Sequence, residues 1–579
     1  MENREIARLL AETADLMEIA AEDSFRIRSY RNAASAIETH PERIADVLKN
    51  PERKLTDIPG IGKTIAANLA EIIERGTFDR RDTLLAKYPP TALELLKIQG
   101  LGPKTIALLW EHYRVSTIDG LEKLCQEQKL RTLPRLGAKI EEKVLRSICN
   151  YRQRAGRFLL NFADDVAQEL CQYLSETPGV EQVTVAGSLR RGRETVGDLD
   201  LLVTGPSAAS AIDRFVAHPR VNELLAKGGN KVSAKVGLQS IQVDVRVLPK
   251  ESFGAALQYF TGSKDHNIAL RGRCLRMGYT LSEYGLFRLE DESRVAGETE
   301  EEVYGKLELA WIPPELRENR GEIECAAEGR LPALIEAARI RGDVHVHTVE
   351  SDGRATLEQM AASAKSLGYE YIAITDHSKA LAMANGLDED RAVKFARLVR
   401  EINASGTLGI HVLSGIECDI RRDGTMDLAD DALAELDFVI GSVHSYMNLE
   451  AAEMTDRLLK ALECPHLRLL GHPTGRMLLV RDSYPFDFDR VAEQAARKRV
   501  YLEINASPER LDLYDHLLRS AKARGCRFII STDAHHPQHF LNMRYGVMAA
   551  RRGWLETADV VNTLPLDQFR EAIQPGKRS

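Results

Sequence analysis

The sequence predicts a multidomain α/β protein, with short helices first, a mixed α+β region in the middle and a βα barrel at the C-terminus. Three observations predict it. Two near-identical helix, glycine-turn, helix segments lie within the first 150 residues, strands of alternating polarity run from about 155 to 250, and short apolar strands alternate with helices from about 340 onward. A length of 579 residues leaves room for roughly three or four domains, each large enough for a core. The hydrophobic fraction of 44% and charged fraction of 28% are those of a globular protein, and no apolar run of spanning length or signal-peptide pattern occurs. Eight cysteines, scattered singly without a CxxC pair, suit a reducing compartment, so a cytoplasmic protein with no membrane partner is expected. With a net charge of −8, any grip on nucleic acid must come from local patches.

At the N-terminus, apolar residues recur at helical spacing in Ile6, Leu9, Leu10, Leu16, Met17 and Ala20, with Thr13 interrupting the stripe. Leu55-Thr-Asp-Ile-Pro-Gly-Ile-Gly-Lys-Thr-Ile-Ala and Leu96-Lys-Ile-Gln-Gly-Leu-Gly-Pro-Lys-Thr-Ile-Ala then share one form. Gly60 and Gly62, like Gly100 and Gly102, let the backbone approach a ligand closely, and the amides opening the next helix can face a phosphate. Pro103 suits a first helical turn, and Lys63 and Lys104 add positive charge. The pair resembles the helix-hairpin-helix, and that resemblance implies a grip on DNA backbone that reads no sequence. A Gly-capped helix pair buried in a core is the alternative, and the repetition argues against it. A further copy, Leu133-Pro-Arg-Leu-Gly-Ala-Lys-Ile, carries no functional expectation.

In the middle region Val183-Thr-Val-Ala, Asp198-Leu-Asp-Leu-Leu-Val and Ile241-Gln-Val-Asp-Val-Arg-Val alternate with strand period. Asp198 and Asp200 are two apart, so both carboxylates face one side of a strand, and Asp244 sits on the polar face of another beside Arg246. Three clustered carboxylates repel one another without cations, whereas two Mg²⁺ ions would neutralise them and clamp a 3′-hydroxyl and a triphosphate. Ten residues upstream of Asp198, Gly187-Ser188 offers a backbone amide and a hydroxyl to the terminal phosphates, and Arg190 and Arg191 offer charge-assisted contacts.

The C-terminal strands are Tyr371-Ile-Ala-Ile, Phe438-Val-Ile, Leu467-Arg-Leu-Leu, Tyr501-Leu-Glu-Ile and Phe528-Ile-Ile. Nine metal-seeking residues accompany them, mostly at strand ends: His345, His347, Asp352, His377, Glu417, His444, His472, Asp533 and His535. Imidazole with carboxylate suits manganese, zinc or iron, and nine ligands suffice for two or three ions, a set fitted to phosphoester hydrolysis. A single histidine is more often structural, but nine together reverse that expectation. Arg476 could steady a phosphate, while His466, His536 and His539 are expected at the surface or behind the ligands.

The central motifs resemble those of the family X DNA polymerases, within the nucleotidyltransferase superfamily. The likeness continues through Tyr259-Phe-Thr-Gly-Ser-Lys-Asp-His-Asn-Ile-Ala-Leu-Arg and Glu283-Tyr284 and, with the hairpins as helix-hairpin-helix modules, covers about residues 1–312. It implies that Asp198, Asp200 and Asp244 hold the catalytic metals and that Ser188 and Arg191 meet the triphosphate. It also implies that Tyr259, Phe260 and Gly262 border the sugar, and that Asn267 and Arg271 touch the minor-groove side of the nascent pair. Tyr259-Phe260 equally suits plain aromatic packing. Lys264 stands where an animal relative has an acid near the incoming base, which fits either nucleotide binding before template or a solvated lysine. Asn68 occupies the position of that relative's Schiff-base lysine; an amide is no amine nucleophile, so lyase activity is not inferred.

The C-terminal motifs resemble the polymerase and histidinol phosphatase (PHP) domain at all nine positions, over about residues 340–579. This implies a distorted (βα)7 barrel with two or three Mn²⁺ or Zn²⁺ ions and a manganese-stimulated 3′–5′ exonuclease, with abasic-site cleavage and 3′-phosphate removal in some members. The expected order is a helical DNA-binding domain (1–85), a helical region with the second hairpin (86–153), a nucleotidyltransferase-type palm (154–248), a thumb-like subdomain (249–312), a linker (313–339) and the PHP domain (340–579). The resemblance implies a monomer that acts on gapped or primer-template DNA with deoxynucleoside triphosphates. It would fill short gaps in base excision or break repair and trim 3′ ends. A barrel that is only a structural or DNA-binding platform stays open. So does a small-molecule phosphatase fused to a nucleotidyltransferase, against which the hairpins argue.

Overall fold

The computed structural model describes the chain except residues 2, 39–42, 50–52, 59, 99, 135, 155, 207 and 575–579, so Pro59, Gln99 and Arg135 of the glycine turns lie outside the described residues. It divides into two compact units, Met1–Ala155 and Gly156–Ser579.

The first unit is helical. Its opening helix, Asn3–Ile19, buries Ile6, Leu9, Leu10, Leu16 and Met17 of the apolar stripe read from the sequence, while Ala20 lies just past its end, half-buried. Thr13 fits inside that stripe because its hydroxyl donates to Leu9 O at 2.7 Å, which satisfies the polar group that interrupts it. The hairpin helices Lys63–Arg75 and Pro103–Tyr113 bury Ile65, Leu69, Ile106 and Leu109 in a single core shared with Leu10, Leu16 and Val144. Both glycine hairpins thus belong to one packed body.

The second unit opens with a five-stranded sheet in the order Gln182–Val185, Asp198–Thr204, Ile241–Val247, Lys231–Val236, Val221–Lys227. The two carboxylate-bearing strands are parallel neighbours with Asp200 opposite Asp244 in register. Helix Leu160–Ser175 covers the sheet. The strands Val221–Lys227 and Lys231–Val236 were not expected, and the first of them exposes every residue after Val221, so it shows no inward-outward alternation to read. Helices Phe253–Thr261 and Lys264–Arg276, a three-stranded antiparallel sheet and helix Glu300–Lys306 follow.

The segment 313–339, expected as a linker, is packed rather than loose over much of its length. Leu316, Ile323 and Ala326 join the core of the preceding subdomain, and Arg317 is fully buried. That burial is possible because Glu300, itself buried, accepts from both Arg317 and Arg190, and Arg317 Nε donates to Ile312 O at 2.8 Å. A buried guanidinium needs such partners.

Seven parallel strands then run in chain order: Gly342–Val346, Tyr371–Ile374, His411–Asp419, Phe438–Ser442, Leu467–Leu470, Tyr501–Asn505 and Phe528–Ser531. The last returns to the first through Ala534 N donating to His345 O at 3.0 Å and His347 N donating to Ala534 O at 2.8 Å, which closes a seven-stranded barrel. Its interior layer of Val344, Ala373, Leu413, Ile440, Leu469 and Ile529 packs with Phe569 of the final helix, Leu566–Ile573. That helix plugs the N-terminal ends of the strands, so the barrel opens at their C-terminal ends. No helix among the described residues is long and apolar enough to cross a membrane.

Candidate active sites

The helical unit presents its glycines as the sequence reading requires. Gly60 (φ +89°) and Gly100 (φ +99°) occupy the left-handed region, where a β-carbon is strained. Gly62 and Gly102, at φ −83° and −96°, are the N-caps of helices Lys63–Arg75 and Pro103–Tyr113. Both are exposed, as are Lys63 and Lys104, and a β-carbon at either glycine would meet nothing within 4 Å. Open space with ordinary backbone angles makes Gly62→Val and Gly102→Val clean probes, since the fold tolerates them while the branched side chain shields the helix-opening amides. The double variant is expected to bind gapped DNA more weakly and with a shallower salt dependence, measured by titration at several salt concentrations. Unchanged affinity would make the turns structural only. Asn68 is buried, and its amide donates to Tyr30 Oη at 2.6 Å.

On the five-stranded sheet Asp198 is exposed, Asp200 half-buried and Asp244 buried. Burial, reinforced by Asp198 beside it, pushes the Asp200 carboxyl up to about 6. Cation binding there would relieve the repulsion. Burial also opposes ionisation of Asp244, but hydrogen bonds from Lys231, Ser233 and Gln242 hold it below its ordinary value. Lys231 Nζ lies 3.0 Å and Arg246 Nη2 3.2 Å from Asp244 Oδ2, and Arg246 also stacks 4.4 Å over the Phe260 ring. Lys231 was not foreseen, because it lies on a strand the sequence did not reveal. Gly187 has φ +65°, and a β-carbon there would come within 2.8 Å of Asp200 Oδ2, so glycine alone lets the Gly187-Ser188 turn close over the carboxylates.

The other expected nucleotide contacts divide. Arg190 is spent on Glu300 and Thr261 Oγ1. Arg191 donates to Thr261 O at 2.7 Å and pairs with Glu318 at 3.1 Å. Tyr259 and Phe260 pack edge to face with centroids 5.2 Å apart and remain partly exposed. Asn267 is turned inward: its amide donates to Tyr259 O at 2.7 Å and its oxygen accepts from Gln258 at 2.9 Å. It shapes the Tyr259–Gly262 turn, and a β-carbon at Gly262 would collide with it. Arg271 and Lys264 are exposed on helix Lys264–Arg276.

At the open end of the barrel all nine expected ligands converge. They form three overlapping groups, His347/Asp352/His377/His535, His345/His347/Asp533 and His377/Glu417/His444, each with ligand atoms within 4.8 Å of one another. His472 joins through Nε2, 2.8 Å from Glu417 Oε1. Burial, with His535 and His377 close by, lowers His347 to about 3, so its imidazole is neutral and ready to ligate. His345 Nε2, both ring nitrogens of His347 and His472 Nδ1 are buried without a hydrogen-bond partner. Orphaned buried nitrogens beside carboxylates fit divalent metal ions and little else.

Behind the ligands stand residues the sequence reading missed. Glu503 accepts from His345 Nδ1 at 2.6 Å and from Ser531 Oγ at 2.6 Å, and Asp419 pairs with His444 Nδ1 at 2.9 Å. Such carboxylates fix which imidazole nitrogen faces the metal. The available signal was an acid inside an apolar strand, Tyr501-Leu-Glu-Ile. The expectation for Arg476 is corrected: its Nε donates to Arg510 O at 2.9 Å, its Nη2 pairs with Glu194 at 2.8 Å, and its plane stacks 4.2 Å over Tyr514. It braces the loop that carries Arg510, whose Nε lies 3.6 Å from Asp533 Oδ2 and whose buried Nη1 has no partner. His539 sits behind His535, its ring accepting from His535 N at 3.3 Å.

Four family descriptions match this chain: a helix-hairpin-helix domain over residues 1–78, a SAM-like helix-hairpin-helix tandem over 92–148, the DNA polymerase beta thumb over 256–318 and the PHP domain over 343–507. The DNA polymerase/3′-5′ exonuclease PolX of Bacillus subtilis (strain 168) is 36% identical over 567 residues, 98% of each chain. DNA polymerase lambda of Arabidopsis thaliana is 26% identical over 54% of this chain and 62% of its own. A probable phosphatase of Shewanella sp. (strain MR-4) is 29% identical over 33% of this chain and 75% of its own.

Proposed function

Because this chain belongs to the family X DNA polymerases, in the branch that carries a PHP domain, we propose that it is a DNA-directed DNA polymerase for short-gap repair that also trims 3′ ends as a metal-dependent 3′–5′ exonuclease. The observation that carries this reading is the presence of a carboxylate cluster on one sheet and a cluster of imidazoles and carboxylates on another within one compact unit. Both activities need divalent metals; we assign two Mg²⁺ to Asp198, Asp200 and Asp244, and two or three Mn²⁺ or Zn²⁺ to the nine barrel ligands. Bound there, the ions would supply Lewis acidity and charge neutralisation for phosphoryl transfer.

The protein's own groups do the rest. Gly187-Ser188 offers an amide and a hydroxyl to the terminal phosphates, Arg191 supplies positive charge beside them, and Phe260, stacked on Arg246, borders the sugar. Asp198 and Asp200 orient the 3′-hydroxyl on one strand face. In the barrel Glu503 and Asp419 hold His345 and His444 in ligating tautomers, and the unpartnered Arg510 Nη1 is placed to meet a phosphoryl oxygen. The helix-opening amides at Gly62 and Gly102 hold the DNA backbone on gapped or primer-template substrates. We assign it action as a monomer in the cytoplasm, a reducing compartment that suits the free cysteines among the described residues.

The decisive assay follows a labelled primer on one-nucleotide-gapped DNA with Mg²⁺ or Mn²⁺. Extension with nucleotides and shortening from the 3′ end without them are both expected. Absence of extension would remove the polymerase reading. Intact 3′ ends on a metal-loaded protein would leave the barrel as a platform.

A further inference from the structure

Helix Met543–Arg552 belongs to the barrel, yet its last residue reaches the polymerase's triphosphate turn. Arg552 is 3% exposed. Its Nη1 donates to the carbonyl oxygen of Arg191 at 2.8 Å and to Glu318 Oε1 at 3.0 Å, and its Nη2 to Asp515 Oδ2 at 2.6 Å. The same Glu318 oxygen receives Arg191 Nε at 3.1 Å and lies 3.9 Å from Arg193 Nη1. Asp515 is held in turn by Arg320 at 2.8 Å. One turn earlier on the helix, Met548 packs under Gly192, whose φ of +64° turns the chain, with Met548 Cβ only 3.3 Å from where a β-carbon would stand. The barrel therefore touches the Arg191–Arg193 turn through both main chain and charge.

We propose that Arg552 is a positioning residue for the incoming triphosphate, fixing the main chain at Arg191 and sharing Glu318 so that this carboxylate does not neutralise Arg191 alone. The inference rests on the polymerase reading above. Glu318 faces three guanidinium groups, those of Arg191, Arg193 and Arg552, so Arg191 keeps net positive charge for phosphate. Without Arg552, Glu318 would close on Arg191, and the carbonyl at Arg191 would lose its buried donor. The ligand class affected is the polyphosphate itself, whatever base it carries. It follows that the barrel contributes to nucleotide affinity even when its own metals are absent.

The test compares wild type, Arg552→Met and Arg552→Lys in the full chain. Arg552→Met is expected to raise the KM for each of the four deoxynucleoside triphosphates about tenfold, the weight of one charge-assisted contact. The KM for pyrophosphate in the reverse reaction should rise in parallel, because pyrophosphate carries the phosphates without base or sugar. Exonuclease rate, affinity for gapped DNA and kcat should change little. Arg552→Lys keeps the charge but cannot span all three acceptors and should fall between; this variant also carries the test if the methionine protein does not fold. The inference is overturned if either folded variant keeps wild-type KM values for triphosphate and pyrophosphate. It is equally overturned if the rise in KM comes with a fall in kcat, DNA affinity, exonuclease rate and thermal stability together, the mark of a merely structural residue. A wild-type protein that adds no nucleotide at all would defeat the polymerase reading instead.

Discussion

Asp200→Asn will abolish nucleotide addition and leave 3′-end degradation intact. Asp200 lies between Asp198 on its own strand and Asp244 across a parallel register, so it is the carboxylate best placed to bridge two cations. Its carboxyl is pushed up to about 6 by burial and by Asp198, and a cation bound there would relieve that repulsion. The amide is nearly isosteric, so the sheet and the Gly187 turn packed against Asp200 should survive. It cannot offer a charged oxygen to two ions, however, and loss of such transition-state charge stabilisation costs at least roughly 10²–10³-fold in rate. The check is single-nucleotide extension on a one-nucleotide gap, with exonuclease on the same preparation as the internal control. Extension at the wild-type rate would remove Asp200 from the site.

What the sequence revealed and what it hid follow from the same physics. Strand Asp198–Thr204 was legible because one face must be apolar, which spaces its acids two apart. The barrel was legible because its strands are buried on both faces and read as short apolar runs, and the nine ligands were legible because metal chemistry dictates residue type. Strand His411–Asp419 escaped notice because Ser414 and Gly415 interrupt its apolar run, although its Glu417 was found by chemistry. Residues 313–339 looked like a linker because proline and charge usually mean solvent. Nothing local announces that Arg317 and Glu300, seventeen residues apart, neutralise each other inside a core. The exchange of Arg476 for Arg510 has the same origin. Which guanidinium is consumed by carbonyls and which is left with a bare nitrogen depends on the loop's path, and residue type carries no trace of it.

The double variant His345→Ala/His347→Ala should separate the two chemistries from the other direction. Both imidazoles are fully buried at the open end of the barrel, and His347 takes part in two of the three ligand groups while His345 completes the group with Asp533. Removing them leaves Glu417 and Asp533 facing each other across a space with fewer ligands, so metal should be lost as well as activity. Elemental analysis of the purified protein is expected to show reduced metal content, and exonuclease should fall by roughly 10³-fold or more, as when a catalytic metal is withdrawn. Mg²⁺-dependent extension should continue, because Asp198, Asp200 and Asp244 lie on a different sheet. The contacts from Arg552 to Arg191 and Glu318 arise from the barrel's outer helix rather than its mouth, so they should persist and keep the nucleotide KM unchanged. A double variant that still shortens 3′ ends at the wild-type rate would show that degradation comes from pyrophosphorolysis at the palm or from a contaminant. The barrel would then act on the polymerase through its helices alone.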